Sequence, residues 1–245
     1  MLKIITLITQ FIIVALTALL FGSCNQLGNN SITGSGHVTT EKRNVEGDFK
    51  SVEVSNAIDL VIEQANTTEI TVEADDNLQK EITTTVENGV LVIACKVNNF
   101  NNIKSKKVTV KMPVIEALEA SSASSINSNS VLKGNSLSLV SSSAATIHAN
   151  VEYEAIQLNT SSASNQSIKG KTLRLETSAS SGSVIDTGEL LANEVTANSS
   201  SAGSILVHPI VSLNAEASSG GNIRYNTTPK SIQKEENSGG SVYQE

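Results

Sequence analysis

The residues best suited to chemistry are the carboxylates Glu152 and Glu154, with Glu176, Asp186, Glu189, Glu194 and Glu216 following them. A polysaccharide hydrolase or lyase needs two carboxylates on one face, or a cation-neutralised carboxylate beside an Arg or Lys base. Glu152 and Glu154 share a strand face, yet the later acids do not recur at one slot. The pattern therefore reads as a solvated surface. His37, His148 and His208 are scattered, without metal-ligand spacing. Neither a Gly-x-Ser-x-Gly elbow nor a phosphate-cradling glycine loop is present. Asp75, Asp76 and Asn77 read as a turn or helix cap, because spaced partners for calcium are missing. No catalytic residue, metal site or cofactor is expected, and the chain reads as a non-enzyme.

Cysteine suggests a different chemistry, the attachment of lipid. Met1 to Lys3 is a short positive start, Ile4 to Phe21 is mostly apolar, and Gly22, Ser23 and Cys24 follow at once. Residues 1–23 thus read as a secretory signal. The run Leu20 to Cys24 resembles a bacterial lipobox, in which small residues precede a Cys that receives lipid and becomes the new N-terminus; Phe21 departs from the usual small residue. The competing reading is an uncleaved transmembrane anchor, since the 18 residues from Ile4 to Phe21 nearly span a bilayer. Either way the body is held outside the cytoplasm. With Cys24 lipidated, Cys95 stands alone, no intramolecular disulfide forms, and Cys95 reads as a small buried hydrophobe. Residues 24–36, rich in Asn, Gly and Ser, read as a flexible tether, with the folded part starting at His37.

The elements that would position any site lie in a repeat from Leu118 to Val242. An apolar pair, a cluster of Ser, Ala and Gly, and a single Ile or Val recur: Leu137 and Leu139 lead to Ile147, Ile156 and Leu158 to Ile168, Leu173 and Leu175 to Val184. The closing residues Ile126, Ile147, Ile168, Val184, Ile205, Ile223 and Val242 are 21, 21, 16, 21, 18 and 19 positions apart. A fixed period of this length marks units that cannot bury an apolar side alone and must stack. Alternation of period two, with no helix-length apolar stripe, makes each unit a coil of strands. The third residue before each closing position is Ala123, Ala144, Asn165, Ser181, Ala202, Gly220 or Gly239, a small or tightly turning type. Such a slot suits a bend where backbones stack about 4.8 Å apart. It also predicts that a large residue at Ala144 or Ala202 disturbs the stack.

Composition agrees with a solenoid. Aromatic residues make up only 3% of the chain and Trp is absent, too little for an ordinary sandwich core but enough for stacked Ile, Leu, Val and Ala. A net charge of −7 argues against nucleic acid and against electrostatic adsorption to anionic lipid. Residues 37–117 carry longer alternating strands, such as 57–62, 69–73, 82–86, 90–93 and 108–112, with Asn88 and Gly89 as a hairpin signal. Val52, Val54, Ser55, Ala57 and Leu60 have the spacings of Leu118, Ala120, Ser121, Ala123 and Ile126, so the first coil starts there. Residues 60–117 then form either an elaboration within one solenoid or a strand-rich cap on its N-terminal end. At the far end, Lys234 to Glu236 bring charge into apolar slots, as suits a terminal coil.

Gly34 to Gly36, Arg43 to Val45, Phe49, Val52 to Ser55, Ala57 to Leu60 and Leu118 to Ala123 resemble the bacterial family called "putative auto-transporter adhesin, head GIN domain". The resemblance runs from Gly34 to Glu245 and implies an all-β fold, a right-handed single-stranded β-helix over residues 37–245, with 118–245 as repeat coils. It brings no catalytic residues, and Asn56 stands where glycine is more usual. Asp59 reads as a structural acceptor, and Arg43 and Phe49 as cap contacts; no binding residue is named. The expected protein is a non-catalytic, lipid-anchored outer-membrane envelope module, surface-exposed or periplasm-facing. Its partners are the membrane through the N-terminal lipid, with glycans or surface proteins on a flank, and no nucleic acid. The alternatives are a periplasmic structural component and a carbohydrate-active β-helix enzyme.

Overall fold

The computed structural model describes residues 31–245. The signal segment 1–23, Cys24 and the first part of the tether lie outside the described residues. Five long strands dominate: β11 (Ser125–Ser141), β12 (Thr146–Thr160), β13 (Asn165–Ala179), β14 (Val184–Ser199) and β15 (Ser204–Ala217). They stack in parallel, one per coil, in a β-solenoid of about seven turns. Each strand climbs one flank, bends, and returns along the other. Alternation places Ile147, Ala149, Val151 and Tyr153 of β12 inward on the first flank and Ile156, Leu158 and Thr160 inward on the second. The core is a column of aliphatic side chains, as the scarcity of aromatics requires.

Coils are joined by a four-residue turn whose two central residues both have positive φ, the pattern of type I′. These pairs are Ser122–Ala123, Ser143–Ala144, Ser162–Ala163, Ser181–Gly182, Ser201–Ala202, Ser219–Gly220 and Ser238–Gly239. Within each turn the fourth N–H donates to the first carbonyl at 2.8–3.2 Å, as Ser124 does to Ser121 and Gly221 to Ser218. A second series runs along the stack: the N–H of Ala123 donates to Ser143 O, Ala144 to Ser162 O and Ala163 to Ser181 O, at 2.9–3.1 Å. Every turn is thus tied to itself and to the next one.

This register corrects the closing positions. Ile126, Ile147, Gln166, Ile185, Ile205, Ile223 and Val242 stack on one another, with Leu60 ahead of them. Gln166 and Ile185 therefore hold the slots expected for Ile168 and Val184. Ile168 pairs with Ala149 further along the strand, and Val184 points outward, 40% exposed. The buried Gln166 is polar in an apolar slot because its Nε2 donates to Leu139 O, Ser141 Oγ and Asn159 O at 3.0–3.2 Å. With the register corrected, the small slot contains Ala163 and Gly182 instead of Asn165 and Ser181, and every member is Ala or Gly.

The N-terminal coils are stacked out of sequence order. β3 (Ser51–Val54) lies between β10 (Ala117–Ala120) and β7 (Val90–Cys95), and β4 (Asp59–Gln64) between β11 and β9 (Lys106–Met112). Residues 90–112 therefore form a coil in front of the first one, although they follow it in the chain. Antiparallel strands complete the cap: β5 (Glu69–Asp75) on β9, β2 (Val38–Arg43) on β5, and β6 (Ile82–Glu87) on β7 through the Asn88–Gly89 turn. The segment 60–117 is thus both an internal coil and a cap. Short β1 (Ser31–Thr33) pairs with β8 (Asn99–Asn101).

Asp75 ties the start of the body to this cap. Its buried carboxylate accepts from the N–H groups of Gly36 and Lys104 at 2.8 Å and of Ser105 at 3.1 Å. The compact unit spans Ile32–Glu245.

Both ends of the stack are closed by charge. At the front, Lys106 Nζ donates to Asn56 O at 2.6 Å and lies 3.3 Å from the centroid of the Phe100 ring. It supplies the donor that a preceding turn would supply elsewhere in the column. At the back, β16 (Asn222–Tyr225), β17 (Ser231–Glu236) and β18 (Ser241–Gln244) form the last coils. Lys234 takes the inward register of Ala215, and its Nζ donates to Val242 O at 3.1 Å and Tyr225 Oη at 2.9 Å. Inward charge of this kind discourages a further strand from adding to the edge.

Candidate functional site

Glu152 is locked in place. Its Oε2 lies 3.2 Å from Lys133 Nζ and 3.5 Å from Lys171 Nζ, in one outward column of successive coils. The hydrogen bond from Lys133 holds its carboxyl below the ordinary range, against a smaller opposing effect of burial. It is therefore a poor general acid near neutral pH. Glu154 is exposed on the same strand face and makes no ion pair among the described residues. His37 and His148 are exposed, and His208 Nδ1 lies 3.3 Å from Gly188 O. Among the described residues no three His, Cys, Asp or Glu side chains converge as metal ligands.

The remaining singled-out residues have structural partners. Asp59 accepts from Ser125 Oγ at 2.6 Å, linking the first coil to the next. Arg43 reaches Gln79 O at 2.6 Å and Gln79 Oε1 at 2.9 Å, and Phe49 packs on the core, so both contribute to the N-terminal end. Cys95 is buried and unbridged, and burial pushes its thiol up. Cys24 lies outside the described residues.

Glu152 and Glu154 line a pocket of about 450 Å³ with Tyr153 and Lys171, but a longer site is assembled around two of the other carboxylates, Glu176 and Glu194. On the flank that leads into the turns, two outward columns run parallel to the stack. One is Ser136, Ala155, Arg174, Glu194, Ser212 and Ser231; the other is Ser138, Gln157, Glu176, Thr196, Asn214 and Gln233. Between them the inward residues Ile156, Leu175, Val195 and Leu213 are only 2–3% exposed. The flank is concave here and forms a trough of about 630 Å³ across six coils. At about 4.8 Å per coil this is roughly 24 Å of continuous surface.

Among the described residues none of the side chains of Gln157, Arg174, Glu176, Glu194, Asn214 or Gln233 makes a hydrogen bond or an ion pair within the chain. Arg174 and Glu194 are register partners in adjacent coils and still remain apart. Elsewhere charges are commonly paired, as in Lys107–Glu73 at 2.9 Å, Lys169–Glu189 at 2.6 Å and Lys50–Glu116 at 2.9 Å. The trough thus gathers donors and acceptors with free valence. Sequence reasoning noted Glu176 and Glu194 but not their neighbours, because the columns emerge only once Gln166 and Ile185 are placed correctly. No aromatic side chain lines the trough.

Residues 48–229 match the model of the family described as "Putative auto-transporter adhesin, head GIN domain". The chain belongs to that family. No curated protein sequence matches it. Among solved structures it is similar to a "putative adhesin" from Bacteroides fragilis, with 17% identity and a TM-score of 0.80, over 87% of this chain and 100% of that one. A "putative adhesin" from Parabacteroides merdae has 23% identity and a TM-score of 0.71, over 88% and 99%. A "putative lipid binding protein" from Parabacteroides distasonis has 18% identity and a TM-score of 0.69, over 88% and 99%. At these identities the likeness establishes the fold alone. Membership in an adhesin-like family fits a role at the cell surface or envelope.

Proposed function

We propose that this family member is a non-catalytic protein of the bacterial cell envelope, held at the outer membrane by lipid on Cys24, whose solenoid flank attaches to glycans or proteins of other surfaces. The observation that carries the reading is the trough, six coils long, whose amide and charged side chains make no hydrogen bond or ion pair among the described residues. A stacked repeat displays such groups at a fixed interval, so many weak contacts act together. The lipobox-like run Leu20 to Cys24 supports the anchor. Among the described residues no helix is long and apolar enough to cross a membrane.

Metabolic labelling with a fatty-acid analogue, on the native chain and on Cys24→Ser, tests the anchor, and protease treatment of intact cells tests which side the body faces. Label that depends on Cys24, with cleavage in intact cells, is the expected result. Label with full protection would favour a structural role in the periplasm. Absence of label would refute the lipid anchor.

A further inference from the structure

We infer that the trough between the Arg174 and Gln157 columns is the binding site for an extended, uncharged, hydroxyl-rich chain, a neutral glycan. This rests on the surface-attachment reading and specifies its site and ligand class. The lining decides the chemistry. Gln157, Asn214 and Gln233 each present an amide with both donors and acceptors, Glu176 and Glu194 present acceptors, and Arg174 presents a fork of donors. Adjacent hydroxyls of a sugar both donate and accept, so they complement planar groups of this kind in pairs. Apolar ligands find little here, because Ile156, Leu175, Val195 and Leu213 turn inward under the floor.

Charge narrows the class further. One guanidinium faces two carboxylates, and the rest of the lining is neutral, so a polyanion meets net repulsion. The amide column extends beyond the carboxylates to Gln157 and Gln233 at opposite ends, so most of the trough selects by hydrogen bonding. Length supplies avidity: coils repeat about every 4.8 Å, a spacing comparable to a sugar ring, so a linear glycan along the stack meets one further pair of column positions per ring, with different side chains from coil to coil. Without an aromatic platform each ring contributes little, and affinity grows with chain length.

The full-length protein, extracted in mild detergent and immobilised, is tested for retention of dextran, mannan and galactan as neutral probes, polygalacturonate as an acidic probe and polylysine as a basic one. The comparison uses the triple variant Arg174→Ala, Glu194→Ala, Asn214→Ala and an opposite-flank control, His148→Ala with Asn165→Ala. All five positions are exposed, so unchanged thermal midpoints are expected of both variants. The expected result is retention of at least one neutral polysaccharide by the native and control proteins, weakened about tenfold or more in the triple variant. Retention of polygalacturonate or polylysine alone would overturn the ligand class. Neutral retention untouched by the triple variant would overturn the location, and no retention of any probe would overturn the inference as a whole. Adherence of cells with and without the protein separates this from the parent reading. Adherence that depends on the protein but survives the triple variant leaves surface attachment standing and refutes the trough. Equal adherence of both cell types refutes surface attachment while polysaccharide retention is judged on its own.

Discussion

Gly220 and Gly221 are adjacent in one turn, yet replacing each by Ala should have very different effects. Gly220 has φ of +73°, and an added Cβ there meets nothing within 4 Å. Ala occupies the equivalent position in Ala123, Ala144, Ala163 and Ala202, all at positive φ. The cost of Gly220→Ala is the left-handed backbone, about 1 kcal/mol, partly offset by the stiffer unfolded chain. At Gly221 the added Cβ would lie 2.3 Å from Ser199 O, 2.5 Å from Ser199 C and 2.8 Å from Ser200 N. These are backbone atoms of the preceding coil, so the coils themselves must separate. That movement strains the bonds above and below, Asn222 N–H to Gly203 O at 2.9 Å and Ser241 N–H to Gly221 O at 3.0 Å. Overpacking against an unyielding neighbour costs about 3 kcal/mol, and two weakened bonds add about 1 kcal/mol each. For a body of this size 1 kcal/mol is about 2–4 °C. Gly221→Ala should therefore lower the thermal midpoint by roughly 10 °C or more, and Gly220→Ala by no more than about 4 °C. Circular dichroism melts of the two variants decide the matter. Midpoints that agree within error would refute the coil spacing from which the contrast is worked.

Asp75 and Glu119 make opposite predictions with pH. Burial alone would raise the Asp75 carboxyl, but the N–H groups of Ser105, Gly36 and Lys104 outweigh it and hold it below its ordinary value. Its contribution is present above the ordinary carboxylate pKa and is lost as pH falls through the depressed one. Asp75→Asn should cost about 2–3 kcal/mol at pH 7, with a smaller difference in acid melts and faster proteolysis around residues 34–36. Glu119 is raised by partial burial and then by Glu53, its register partner in β3. Its charged form is therefore destabilising, and Glu119→Gln should stabilise by a few tenths of a kcal/mol at pH 7, roughly 0.3 after solvent screening. That gain should vanish as pH falls through the raised pKa and the native carboxyl becomes neutral. Lys106→Met removes the donor to Asn56 O and the cation over Phe100, and should cost about 1–3 kcal/mol in urea unfolding. An unchanged midpoint would show that the first turn is capped in another way.

Local patterns carried much of the fold. Period-two alternation marked the strands, Asn88–Gly89 marked the β6–β7 hairpin, and the shared spacing of Val52 to Leu60 with Leu118 to Ile126 marked two coils that do stack directly. Each is set by the pleat or by turn geometry, which needs only a few consecutive residues. The small slot was legible too, but not its cause. Ala144 and Ala202 are exposed, so crowding is not the cause; the left-handed backbone favours the glycine found at Gly182, Gly220 and Gly239.

Other features belong to the tertiary structure alone. No local signal shows that residues 90–112 stack ahead of 51–64, because parallel pairing between distant segments leaves no mark on either strand by itself. Gln166 gives no sign in the sequence of filling an apolar slot, because its three acceptors come from Leu139, Ser141 and Asn159, one of which lies 27 positions away. The trough depended on the same register. One misassigned residue in a strand moves every side chain to the other face, so Arg174, Glu194, Gln157 and Asn214 became neighbours only when hydrogen bonds between coils fixed which residue lies above which.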